Sequence, residues 1–177
     1  MERRARAVRP LTRFFTDLFR SVTGQGTEVC LLYEPSWNAE ASAPEAVAVL
    51  RASRERDCRR ALTTTGPHRD RFVFEYGGRE FAHVASTGQV RLCSLVLRSA
   101  QAAYYNQITG RAPILLLDDV ILELDPERKA SFMAALPPCD QALFTFLPGE
   151  GFEQFRTDTT LVLEVQEGRM RSWGTTP

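Results

Sequence analysis

One lysine, Lys129, stands among 177 residues, and that scarcity excludes more than any abundance does. A phosphate-binding loop of the G-x-x-x-x-G-K-[ST] type ends on a lysine, and Lys129 lies inside a predicted helix with no such glycines before it. No Walker A motif is therefore present. Cys30, Cys58, Cys93 and Cys139 are widely spread without a C-x-x-C pair, and only His68 and His83 could join them, which disfavours a zinc site or a disulfide framework. No run of 18 apolar residues spans a membrane, and the N-terminus lacks the apolar core of a signal peptide. A cytoplasmic location with no membrane partner is the default expectation. The 22 basic and 22 acidic residues cancel, so global charge does not argue for nucleic acid, and no internal repeat occurs.

What is present is ordinary in amount and uneven in placement. With 44% hydrophobic and 25% charged residues, a chain of this length can bury about 70% of its unfolded surface. Six arginines fall in the first 20 residues, and Arg51, Arg54, Arg56, Arg59 and Arg60 follow close together. Acid gathers at Asp118, Asp119, Glu123, Asp125 and Glu127.

Periodicity supplies the elements. Leu11, Phe14, Phe15, Leu18, Phe19 and Val22 recur at helical spacing up to Gly24. Val29 to Tyr33 reads as a short strand stopped by Pro35, and Ser42-Ala-Pro-Glu45 has capping-box spacing, which predicts a helix over 44–62. Alternation through Phe72, Phe74 and Tyr76, then Gly77-Gly78, then Arg79, Phe81 and His83 predicts a hairpin. A long helix should run to about Gln107, with Val90, Cys93, Val96, Leu97, Ala100 and Tyr104 on its apolar side and Gly110 as its stop. Ile114 to Leu117 is a continuous apolar run expected to be a parallel strand covered on both faces. Asp125-Pro126 opens a helix expected to reach Leu136, Leu143 to Phe146 suggests another strand, and 159–165 with 169–173 suggest a terminal hairpin. The pattern is α/β, with an expected helical region over 1–62 and an α/β region over 63–177.

Chemistry concentrates in four segments, Thr65-Gly-Pro-His-Arg-Asp70, Ser86-Thr-Gly-Gln-Val-Arg91, Leu115-Leu-Leu-Asp118-Asp119 and Glu123-Leu124-Asp125. Ser86 and Gly88 just before a helix offer backbone N–H groups and the positive end of its dipole to an anion. Carboxylates at the end of a parallel strand suit Mg²⁺, which prefers oxygen ligands and carries phosphates. A turn in which Arg69 pairs with Asp70 is the plainest account of the first segment, a contact to nucleotide or DNA the alternative. A solvated face is the plainest account of the five arginines, a DNA-phosphate contact the alternative.

In this order the segments resemble the signature helix, Walker B strand and D-loop of ABC-type ATPase heads, and with Gly66-Pro-His-Arg-Asp70 the resemblance narrows to the RecF family, relatives of the SMC proteins. It covers roughly Tyr33 to Thr145. It implies the C-terminal part of an ATPase head, a mixed sheet flanked by helices, behind an arm region that the first helices resemble less specifically. ATP with Mg²⁺ would drive a homodimer in which Ser86, Gly88 and Gln89 face the γ-phosphate bound by the partner subunit. Asp118 would hold Mg²⁺, usually through water, Asp119 would orient or deprotonate the attacking water, Glu123 to Asp125 would be the D-loop, and Thr145 would fall at the switch position.

The resemblance further implies action on single-stranded, double-stranded or gapped DNA in replication, recombinational repair and the SOS response, beside mediators such as RecR and RecO. Two places depart from the family: Val90 stands where it usually has a second glutamine, and Leu147-Pro-Gly-Glu150 is an unusual continuation. Asp119 is one methylene shorter than the glutamate of many ABC proteins, which predicts slow hydrolysis. The family carries its Walker A motif at the start of the chain, so this sequence is expected to be its second half, active as an ATPase only beside a P-loop half. The alternatives are a non-catalytic remnant that binds DNA or protein and, more remotely, a metal-dependent nuclease, for which further convergent carboxylates would be needed.

Overall fold

Leu31 faces inward and Leu32 outward, and this alternation sets the first sheet. The computed structural model describes residues 2–24, 28–37, 42–119, 124–149 and 151–173. β1 (Cys30–Glu34) pairs antiparallel with β2 (Arg71–Tyr76), with Leu31 opposite Phe74 and Tyr33 opposite Phe72, and β2 turns through Gly77 and Gly78 into the short β3 (Arg79–Glu80). Both glycines have positive φ, 57° and 75°, as a tight hairpin turn requires.

α1 (Glu2–Thr23) covers this sheet. Phe15, Phe19 and Val22 are buried, and the Phe15 ring packs 4.9 Å from Phe74. Thr12 Oγ1 donates to the Leu31 carbonyl at 2.9 Å, fastening the helix to the exposed edge of β1. The helix starts two turns earlier than the apolar spacing predicts and runs through Pro10. Proline forfeits one helical hydrogen bond. The early turns persist because Val8 is buried and Arg4 is bound by Asp70.

α2 (Ala43–Arg60) begins at the predicted capping box: Ser42 Oγ accepts from the Glu45 N–H and the Glu45 carboxylate accepts from the Ser42 N–H. Ser53 is its single fully buried residue. α3 (Thr87–Thr109) packs on α1 through Leu92, Cys93, Val96 and Ala100 and ends at Gly110 in the left-handed region, φ 66°. Val90, expected inside, is exposed in the first turn of α3. Burial pushes the Cys93 thiol up to about 12, so it is a packing group.

β4 (Ile114–Leu117) pairs with β5 (Gln141–Phe144) in parallel, joined by α4 (Pro126–Ala134), whose Phe132 is buried. The expectation of cover on both faces is corrected: Leu117 is buried, but Ile114 and Leu116 are 61% and 75% exposed. An apolar run reports that a strand seeks cover, not that this stretch of chain supplies it.

Four boundaries also differ. Phe81–His83 is a 3₁₀ turn instead of strand, with Phe81 buried. β5 lies two residues earlier than predicted, α4 stops at Ala134 ahead of Pro137-Pro138, and the terminal strands shorten to β6 (Leu163–Gln166) and β7 (Arg169–Ser172). Residues 145–177 form a separate unit, in which Phe152 stacks its edge on Trp173 and lies 5.9 Å from Phe146. Among the described residues no helix is long and apolar enough to cross a membrane.

Candidate nucleotide site and basic helix

The end of β4 delivers Asp118 and Asp119 to the surface, at the carboxyl edge of a parallel pair, where ligands of such sheets gather. Asp119 has φ 50°, in the left-handed region, so the chain turns sharply straight after the strand. Asp125 N-caps α4, its side chain accepting the Arg128 N–H at 2.9 Å, with Pro126 at the first helical position. Leu124 is half-buried beside it. Glu123 lies outside the described residues. Thr145 follows β5 directly in the chain.

Ser86, Gly88 and Gln89 come together at the start of α3. Ser86 Oγ accepts the Gln89 N–H at 3.3 Å, while Gln89 Oε1 accepts the Ser86 N–H at 2.8 Å. This capping box accounts for Ser86 and Gln89 without a ligand. A Cβ added to Gly88 would meet nothing within 4 Å, so the approach to this helix end is open. α3, 23 residues and about 35 Å long, separates the segment from the chain that enters β4.

Among the described residues no group of three or more His, Cys, Asp or Glu could hold a metal. The side chains at the end of β4 do not form an all-protein cage. They fit Mg²⁺ that arrives with phosphate oxygens and keeps water, a mode needing only one or two carboxylates.

The Gly66-Pro-His-Arg-Asp70 segment is built around Asp70, and here the expected pairing is corrected. Arg69 donates to the Thr63 carbonyl at 3.1 Å, and Asp70 is bound by Arg4 at 2.8 Å and the Tyr33 hydroxyl at 2.6 Å. The Ser36 backbone N–H and hydroxyl, each at 3.0 Å, serve its other oxygen. Burial alone would raise the Asp70 pKa, but hydrogen bonds from Tyr33, Ser36 and Arg4 outweigh it and hold the carboxyl down at about 2. Burial, then the Asp70 hydrogen bond and charge, push the Tyr33 phenol up. Ser36 Oγ also donates to the Gly66 carbonyl at 2.7 Å, and Trp37 Nε1 donates to Thr65 Oγ1. Sequence spacing could not find this network, since Arg4, Tyr33 and Ser36 lie 66, 37 and 34 residues from Asp70.

The five arginines of α2 do not form one face. Arg56 Nε donates to Thr64 Oγ1 at 2.9 Å, whereas Arg51 and Arg54 line a shallow groove with Val47, Leu50, Asp57 and Cys58. Hydrogen bonds from the Thr64 hydroxyl hold the Asp57 carboxyl below its usual range against a smaller opposing effect of burial, with the Thr64 N–H and Ser53 adding to them.

No family model matches the chain. Among curated proteins, the DNA replication and repair protein RecF of Treponema pallidum is 43% identical over 165 residues, covering 93% of this chain and 46% of that protein. The chain is RecF-like. RecF of Moorella thermoacetica is 37% identical, covering 81% of this chain and 38% of its own length, and RecF of Geobacter sulfurreducens is 37% identical, covering 89% and 41%. The chain thus spans less than half the length of the RecF proteins it matches. A solved structure of the recombination mediator protein RecF with ATP, in the RecFOR pathway, superposes with a TM-score of 0.71 over 96% of this chain and 45% of the other. At 20% identity that likeness shows the fold alone, an α/β arrangement shared with part of that RecF structure.

Proposed function

We propose that this chain is the C-terminal portion of a RecF-type ATPase head, acting in cytoplasmic DNA replication and recombinational repair, where ATP with Mg²⁺ would drive homodimerisation on DNA. The observation that carries the reading is one of order: a capped, open helix start at Ser86, then a long helix, then a parallel strand ending in Asp118-Asp119, inside a RecF-like fold.

In this reading Asp118 would hold Mg²⁺ through water, and the Asp119 carboxylate would accept a hydrogen bond, and finally a proton, from the attacking water. When bound, the nucleotide supplies the phosphate oxygens that complete the metal's sphere. Ser86, Gly88 and the first N–H groups of α3 would face the partner subunit's γ-phosphate, with Gln89 holding Ser86 in place. Leu124 and Asp125, with Glu123, would form the D-loop, and Thr145 the switch. The short side chain of Asp119 favours slow hydrolysis, so that ATP acts as a dimerisation switch. DNA phosphates would be met by basic side chains, chiefly Arg59 and Arg60 at the end of α2, and the partners would be mediators of the RecR and RecO kind.

The exposed Ile114, Leu116 and Leu143 suit cover by a polypeptide carrying the P-loop strands. The test is to mix the chain with such a P-loop half and measure ATP- and Mg²⁺-dependent dimerisation by sedimentation. Association that ignores nucleotide, or survives Asp118→Ala with S86R, would overturn the reading. The single lysine outside any P-loop pattern favours a second reading, a module that binds DNA or protein without hydrolysis. Salt-dependent duplex binding with no response to ATP in the same mixture would select it.

A further inference from the structure

Residues 47, 50, 51, 54 and 58 fall on one stripe of α2, because a helix advances about 100° per residue, while Arg56, Arg59 and Arg60 turn to other sides. The stripe is mixed in character. Val47 and Leu50 are 44% and 43% exposed, Cys58 is exposed, and Arg51 and Arg54 stand beside them. Of the acids on α2, Asp57 borders the stripe and accepts from Thr64 and Ser53, Glu45 is bound into the Ser42 cap on another side, and exposed Glu55, one turn after Arg51, flanks the stripe opposite Asp57. Neither Arg51 nor Arg54 has a hydrogen bond or ion pair with a described residue.

We propose that this stripe docks an acidic amphipathic helix of a partner protein, whose apolar side chains cover Val47, Leu50 and Cys58 and whose carboxylates, one turn apart, meet Arg51 and Arg54. The chemistry favours this occupant over DNA. Phosphates gain nothing from apolar side chains, whereas covering Val47 and Leu50 removes apolar surface from water on both partners. Residues three apart on a helix are about 5–6 Å from each other at Cβ, so Arg51 and Arg54 match carboxylates three or four apart on a facing helix. Arginine beside an apolar centre is a composition that protein interfaces favour. The stripe is also preformed, because the capping box fixes one end of α2 and the Asp57–Thr64 hydrogen bonds fix the other. The docking goes beyond the ATPase reading and needs no nucleotide, so the two can fail separately.

The experiment measures fluorescence anisotropy of three labelled probes with the full chain in the absence of ATP. They are an acidic peptide with Leu at i, i+3 and i+7 and Glu flanking them, its Glu→Gln twin, and a DNA duplex. The acidic peptide should bind about tenfold more tightly than its twin, a difference of about 1.4 kcal/mol. Arg51→Glu with Arg54→Glu should lose about tenfold for the peptide, and L50Q should weaken it severalfold. The same double reversal should change duplex affinity less than Arg59→Glu with Arg60→Glu does. All these side chains are exposed, and circular dichroism verifies that α2 is retained. A peptide that does not bind, that binds equally well as its Gln twin, or that ignores L50Q overturns the proposal. So does a double reversal at 51 and 54 that removes duplex binding more than peptide binding, which would make the stripe a DNA contact.

Discussion

Asp70 accepts the Tyr33 hydroxyl at 2.6 Å, and its side chain is fully buried while ionised. The same carboxylate gathers Arg4 from α1 and Ser36 from the turn after β1. One acid therefore ties a helix, a strand and a loop, and losing it strands several polar groups together. Asp70→Ala should destabilise the chain by about 1–3 kcal/mol, the cost of leaving buried donors unmade. Tyr33→Phe should cost about 1 kcal/mol. Urea unfolding of both variants measures this, and an Asp70→Ala midpoint equal to the parent's would refute the hub.

Acid should act through the same residue. The Asp70 pKa is about 2 in the folded chain, below its ordinary value of 3.8. Its stabilisation is therefore full above the unfolded pKa and is lost as pH falls from about 4 through about 2. Urea midpoints taken across that window should fall in the parent and fall less steeply in Asp70→Asn.

Gly66 has φ 132°, and a Cβ there would meet His68 Nδ1 at 3.2 Å. Backbone in that region costs other residues of order 1–3 kcal/mol. Gly66→Ala should lower stability by that order, seen as a lower thermal midpoint, while Gly88→Ala, in open space, should leave it nearly unchanged.

Ser86 separates capping from phosphate recognition. Ser86→Ala should cost about 1 kcal/mol of stability through the lost cap, and Ser86→Asp should keep the cap. The aspartate would repel a γ-phosphate. Stability retained in Ser86→Asp together with lost ATP-dependent dimerisation beside a P-loop half would assign the second role, and unchanged dimerisation would remove it.

Leu116→Glu probes the open face of β4. At 75% exposure the residue adds little to this chain, so stability should change by no more than about 0.5 kcal/mol. Association with a P-loop half should be lost, as sedimentation would show, if that face is where the two halves meet.

Local signals in the sequence determined most elements. Ser42 with Glu45, Asp125 with Pro126, Gly77-Gly78 and Gly110 each carry their own physics within a few residues, and the structure places each at the expected cap, turn or stop. The order from Ser86 to Asp118-Asp119 was legible as a RecF resemblance, because those segments are short and contiguous. Where a decision depended on neighbours distant in the chain, the sequence was silent. Phe81 left its alternating pattern to enter the core as a 3₁₀ turn. α1 grew through Pro10 because Asp70 held Arg4. Arg69 and Asp70, adjacent in sequence, took separate partners. The arginines of α2 read as one basic run, and helical rotation dispersed them around the axis, leaving Arg51 and Arg54 beside Val47 and Leu50. Sequence determines what each backbone segment prefers and which side chains seek cover. Only tertiary structure decides which charge meets which, because burial and hydrogen bonding join groups that spacing along the chain does not relate.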